Sequence, residues 1–163
     1  MREIRDFAPG HIIQDNNLLQ ASGVHIERVF AMLRTQRAAI FSGGLQASLV
    51  TGWFAELLRG IKVEAVFLAA DTAAALRPLE RALDLLSFLP RYKRRVYTLI
   101  GFNGETQDDA EARLEAVWEL GGMPFAQLYQ PPDRFIEYPR DWKALARKWS
   151  RPAAMAAAHT EGN

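Results

Sequence analysis

Four short polar clusters carry the residue types from which a ligand site can be built. Asp15, Asn16 and Asn17 follow the apolar run His11-Ile12-Ile13-Gln14. Gly43 and Gly44 follow Ala38-Ala39-Ile40-Phe41. Asp71 and Thr72 follow Val63 to Ala70. Gly101, Asn103 and Glu105 follow Val96 to Ile100. A fifth position, Tyr129, ends the run Phe125 to Tyr129. Carboxylates and amides there offer polar contacts to a nucleotide or a small substrate. Glycines let the backbone approach a ligand closely, and a tyrosine offers a ring to stack on it. Each cluster also has a purely local reading. Asp15 to Asn17 suits an Asx-type turn, the Gly43-Gly44 pair a strand-to-helix turn, and Asp71 a helix cap. Asp15, Asp71 and Glu105 are the acids available for proton transfer, and no sequence pattern pairs them.

Each cluster needs an element to hold it, and the chain supplies a repeating unit. The stretch Arg95 to Thr106 reads as a buried strand, a glycine turn and a helix start. Val96 to Ile100 has the length and β-rich character of a buried parallel strand. Thr106 caps the next helix, and Asp108, Asp109 and Glu111 lie in its first turn, where carboxylates suit the helix dipole. The same unit recurs. Ser22 caps a helix carrying Val24, Val29, Phe30 and Leu33. A helix from Leu45 to Arg59 stops at Gly60. The helix after Asp71 carries Leu76, Leu79, Leu83 and Leu86, at spacings of 3, 4 and 3. The helix after Thr106 carries Ala110, Leu114, Val117 and Trp118. Asp141 is the expected cap of a last helix with Trp142, Leu145, Ala146 and Trp149, ended by Pro152.

Five β-α units of this length predict an α/β fold with parallel strands joined by right-handed crossovers. An open doubly wound sheet and an arc of a β/α barrel both satisfy the pattern. One helix after every strand, without a GxGxxG signature, favours a partial, open β/α barrel of about five parallel strands with helices on the outside. A complete barrel needs over about 200 residues, against 163 here. The domain is expected over residues 1–152, with 153–163 as a mobile, Ala-rich tail.

At 49% hydrophobic, 24% charged and net charge +1, the chain reads as one globular domain. It has neither a run of about 18 apolar residues nor an apolar leader, so a cytoplasmic protein is expected and a membrane partner is not. Arg91, Lys93, Arg94 and Arg95 form one basic group. Arg140, Lys143, Arg147 and Arg151 form another along one helix face. Without a net positive field these read as solvated surface, and nucleic acid is not expected. His11 and His25 lack partners at metal-ligand spacing, so no metal site is expected. No Gly-x-Ser-x-Gly elbow, P-loop or His-Glu-x-x-His motif occurs.

The series Ile13-Gln14-Asp15-Asn16-Asn17-Leu18-Leu19, Phe41-Ser42-Gly43-Gly44-Leu45-Gln46-Ala47, Phe67-Leu68-Ala69-Ala70-Asp71-Thr72 and Leu99-Ile100-Gly101-Phe102-Asn103-Gly104-Glu105-Thr106 resembles the later β/α units of radical S-adenosylmethionine (radical SAM) proteins, over about residues 9 to 152. The resemblance implies S-adenosylmethionine as a possible ligand. Asp15, Asn16 and Asn17 would then make polar contacts, Gly43 and Gly44 would pass a methionyl or ribose group, and Gly101, Asn103 and Glu105 would lie near adenine or ribose. Family members hold a [4Fe–4S] cluster on a CxxxCxxC loop after their first strand. This chain has no cysteine, so it ligates no iron–sulfur cluster and radical chemistry by this chain alone is not expected. It begins at what looks like the family's third strand, as a truncated barrel would. Where related sequences read Gly-Leu-Asp-Ala-Arg, it has Gly44-Leu45-Gln46-Ala47-Ser48, without the acid or the base.

The reading that results is a partial-barrel protein, non-catalytic on its own, with a residual SAM- or nucleotide-like site at the C-terminal strand ends. Its alternatives are a subunit completing a split radical SAM enzyme with a Cys-bearing partner, and a structural or interaction module. A small cluster-independent enzyme using Asp15, Asp71 and Glu105 is a weaker rival. Open sheet edges at His11–Gln14 and Phe125–Tyr129 point to a homodimer or a barrel-completing protein partner.

Overall fold

The structure is a computed structural model that describes residues 3, 6–15 and 17–160. Its sheet has five strands, all parallel, in the order β1-β2-β3-β4-β5. They are β1 Ile12–Ile13, β2 Ala39–Gln46, β3 Val63–Ala69, β4 Arg94–Ile100 and β5 Met123–Leu128. The sheet is open. Because the order never reverses, it lacks the switch-point crevice of a doubly wound sheet.

The helices are α1 Gly23–Leu33, α2 Gly52–Arg59, α3 Leu76–Leu85, α4 Gln107–Glu119, α5 Arg140–Lys148 and α6 Pro152–Thr160. Side chains alternate across a strand, and the residues packed on the helices fall in register on one face of the sheet. Phe41 pairs in register with Val66, Leu68 with Val96, and Thr98 with Ala126. That face packs on the helices. Phe30, Phe41 and Phe54 meet with ring centroids 5.7 to 6.1 Å apart, joining α1, β2 and α2. Such pairs add roughly 0.5–1.5 kcal/mol each beyond area burial. Leu79, Ala82 and Leu83 of α3 join the same core, while Leu114 of α4, Leu145 of α5 and Trp149 form a second one over Ile100 and Ala126.

Several elements depart from the sequence pattern. The first strand is shorter than His11–Gln14. The second does not end at the glycine pair but runs through it to Gln46, with a register shift between Phe41 and Leu45. The helix expected from Leu45 is a 3-10 turn, Ala47–Leu49, followed by α2, whose cap is Thr51: its hydroxyl accepts from Phe54 N at 3.2 Å. Asp71 caps nothing. Its carboxylate crosses to the next strand and accepts from Leu99 N at 2.9 Å. Asp141 is likewise not the cap of α5. Pro139 holds that position with an extended backbone, and Asp141 accepts from Trp142 N and from the Gln107 amide. Pro152 opens α6 rather than closing a helix, because proline suits a first helical position. The stretch expected as a mobile tail is thus helical to Thr160. Met155 is buried against the second core, and the His159 ring stacks on Trp118 at 4.2 Å. Residues 161–163 lie outside the described residues.

No helix among the described residues is long and apolar enough to cross a membrane.

Candidate ligand-binding face

The expected site residues fall into two groups. At the end of β4, Glu105 sits in the turn before α4, which a reciprocal capping box of Thr106 and Asp109 starts. Hydrogen bonds from Thr106 hold the Asp109 carboxyl below its ordinary range. Glu105 Oε1 accepts from Gly101 N at 2.7 Å and Phe102 N at 3.3 Å. Arg113, two turns into α4, reaches back to both Glu105 oxygens at 2.7 and 3.2 Å and to Leu99 O at 2.6 Å. Asp71 holds the N–H of that same Leu99. One polar chain, Asp71–Leu99–Arg113–Glu105–Gly101, therefore ties β3, β4 and α4. Tyr138 closes its far side. Its hydroxyl lies 2.9 Å from Tyr129 O and 3.1 Å from Gly101 O. Burial, with Glu105 and Tyr129 beside it, pushes the Tyr138 phenol up. Gly101 has φ +75, and a Cβ there would stand 2.6 Å from the Tyr138 ring. Tyr129 packs edge-on against Phe102. Glu105 and Gly101 thus serve the turn, and Asn103, at φ 54, remains exposed beside it.

The second group ends β1 and β2. Asp15 accepts from Asn17 N at 3.2 Å, the Asx-type turn. Asn17 exchanges hydrogen bonds with Gln46, Nδ2 to Oε1 at 3.2 Å and Gln46 N to Oδ1 at 3.4 Å. Asn16 lies outside the described residues. Gly43 is a packing requirement: a Cβ there would fall 1.7 Å from Asp15 O. Gly44, at φ +74, faces the Tyr97 ring. Thr72 is exposed and makes no capping bond.

Between the groups lies the face turned away from the helices. Tyr97 pairs in register with Ala69 and Phe125, and Phe67 with Arg95. The Phe67 and Tyr97 rings stack at 4.6 Å. Phe125 stands edge-on to both, at 6.2 and 5.7 Å. The Arg95 guanidinium lies 5.3 Å from the Phe67 centroid, and the Tyr97 hydroxyl donates to Ser42 O at 3.3 Å. Burial pushes the Tyr97 phenol up, against the opposing charge of Arg95. None of these rings belongs to either helix-side core. Tyr97 and Phe125 remain half-buried.

Sequence reasoning about strand ends passed over this shelf, and over Arg113 and Tyr138. The available signal was one aromatic residue within each of three successive strands, on the parity opposite the buried aliphatics. The first basic group is partly drawn into the fold. Arg91 stacks over Trp118 at 4.2 Å, Lys93 donates to Val63 O at 2.7 Å and Arg94 to Leu83 O at 3.1 Å. Among the described residues no three His, Cys, Asp or Glu side chains gather as a metal site would need.

Comparisons with protein-family models, with curated proteins and with solved structures give no match.

Proposed function

We propose that this chain is a partial-barrel binding protein, non-catalytic on its own, whose ligand is SAM or a similar nucleotide lying against the helix-free face. The observation that carries this reading is the shelf of Phe67, Tyr97 and Phe125 with Arg95 at its edge. The half-buried rings of Tyr97 and Phe125 suit a purine, and base–aromatic stacking is worth roughly 1–3 kcal/mol per base. A guanidinium beside the rings suits the carboxylate of a methionyl group or a phosphate. This moves the site inward from the strand ends, where Asp71 and Glu105 are already engaged in hydrogen bonds of the fold. Calorimetric titration with SAM tests it. Saturable micromolar binding, roughly −8 kcal/mol, weakened at least about tenfold in Tyr97→Ala, is the expected result. Absence of heat at millimolar ligand would overturn it.

A second reading is favoured by a different observation. The same face continues through Ala65 and Ile40 to Ile12, which is 47% exposed. An apolar row ending at a two-residue edge strand suits a second copy or a barrel-completing chain. Light scattering at micromolar concentration separates the two readings: a monodisperse monomer excludes a stable homodimer.

A further inference from the structure

A cavity of about 510 Å³ opens where β2 and β3 begin, at the end of the sheet away from the glycine turns. We propose that it binds a phosphate group, carried by free phosphate or by a small phosphomonoester.

Parallel strands all start on one side of the sheet, so the links that lead into them gather there. Arg37 lies between α1 and β2, Lys62 between α2 and β3, and Lys93 in the 3-10 turn Arg91–Lys93 before β4. Three successive units thus bring one cation each to one opening. The ionisable side chains lining it are His11, Arg37, Lys62, Glu64 and Lys93. Glu64 is there because the pairing steps over it: Ala39 pairs with Val63, and Ile40 with Ala65. The volume lies within the range of small-molecule sites.

Three features choose the ligand. Lys93 is half-buried, and its ammonium donates to Val63 O at 2.7 Å. That bond fixes the charge at the cavity wall and uses one of three N–H donors. Arg37 and Lys62 are exposed at the rim, and among the described residues neither forms an ion pair, with Glu64 or with any other carboxylate. The backbone N–H groups of Arg37 and Ala38, consecutive on the approach to β2, donate to no acceptor among the described residues. Three cations against one carboxylate suit a dianion, and a phosphate has the oxygens to take both the charged donors and the backbone ones. A second cavity, of about 490 Å³, shares Lys62, Val63 and Lys93 and runs beside Phe88. It offers room for the apolar body of a monoester. Phe67, Arg95, Tyr97 and Phe125 line neither cavity, so this site and the SAM reading stand or fall separately.

The probes are inorganic phosphate, phenyl phosphate and benzoate, titrated by calorimetry at an ionic strength of about 0.15 M, where remote surface charges are screened. At least one phosphate probe is expected to bind saturably with a Kd below about 1 mM, and benzoate at least about tenfold more weakly. Tighter binding of phenyl phosphate than of inorganic phosphate would identify a monoester as the ligand, and equal binding free phosphate. The double variant Arg37→Gln, Lys62→Gln should weaken phosphate binding at least about tenfold. Glu64→Gln should strengthen it. The double variant Arg140→Gln, Arg147→Gln makes the same charge change at exposed positions of α5 and should leave it unchanged. No saturation by either phosphate probe at millimolar concentration, equal binding of benzoate, or equal weakening in the two double variants would overturn the proposal.

Discussion

At the β5 margin the backbone of Ala126 is satisfied from outside the sheet: its N–H donates to Trp149 O at 3.1 Å and its C=O accepts from Ser150 Oγ at 2.9 Å. At the β1 margin two residues pair with β2, and beyond them lies an apolar groove. The sequence pattern treats these as equivalent open edges. They are not, because α5 and α6 fold back over one of them, and a fully buried Trp149 anchors the return. Edge pairing with another chain is therefore blocked at Ala126, while the β1 edge carries no such cover among the described residues. The turns beneath the two margins differ in the same way. Arg113 and Glu105, 12% and 13% exposed, form a bidentate pair under β4, while the β1–β2 end rests on neutral amide contacts of Asn17 and Gln46.

Trp149→Ala should break this contrast most severely. It removes the largest fully buried side chain, and a loss of about 3–5 kcal/mol is expected from urea unfolding. Arg113→Leu comes next. It leaves the Glu105 carboxylate without its cation, at a cost of roughly 3 kcal/mol. The equivalent disruption on the other margin, Gln46→Leu, should cost no more than about 1 kcal/mol. Equal losses in those two variants would refute the asymmetry. Gly43→Ala forces Asp15 O to give way and is expected to cost about 1–3 kcal/mol. Because β1 is held by only two pairings, the exchange protection lost should be confined to the β1–β2 ladder, including Ile40, whose N–H donates to His11 O at 2.8 Å.

The smallest effect concerns α6. Burial disfavours the charged His159 ring, but the Met155 carbonyl and the Glu115 carboxylate, 2.9 Å away, outweigh it and raise its pKa. Arg91, on the neighbouring Trp118, opposes them. A raised folded pKa means the stabilisation is complete below the unfolded value, about 6.5, and is lost as pH rises through the folded one. With Glu115 41% exposed, screening limits this to a few tenths of a kcal/mol. Melting curves between pH 5.5 and 8 should show the loss in the wild type and not in His159→Gln.

What the sequence makes legible is whatever short-range periodicity dictates. The β-α repeat, the parallel order and the Thr106 cap depend on local spacing, and they stand as expected. The misplaced features depend on contacts between distant residues. Asp71 has the chemistry of a cap, yet Leu99 N, twenty-eight positions on, is its partner. Glycines 43 and 44 look like a turn, yet Gly43 is there because Asp15 O lies against it. Ala153 onward has low complexity and no polar cap, but Met155 finds a core that α4 and α5 build. The aromatic shelf was readable from strand parity once the buried face was known. Arg113 and Tyr138 carry no local signal for their partners.

The most direct test of the central claim, that the helix-free face is the working surface, is residue-resolved amide exchange with and without millimolar SAM. The expected result is slowed exchange at Tyr97, Phe125 and their strand neighbours, with the Trp149–Ser150 return unchanged. Identical exchange in the two samples, or protection confined to the turn around Asn103, would contradict it.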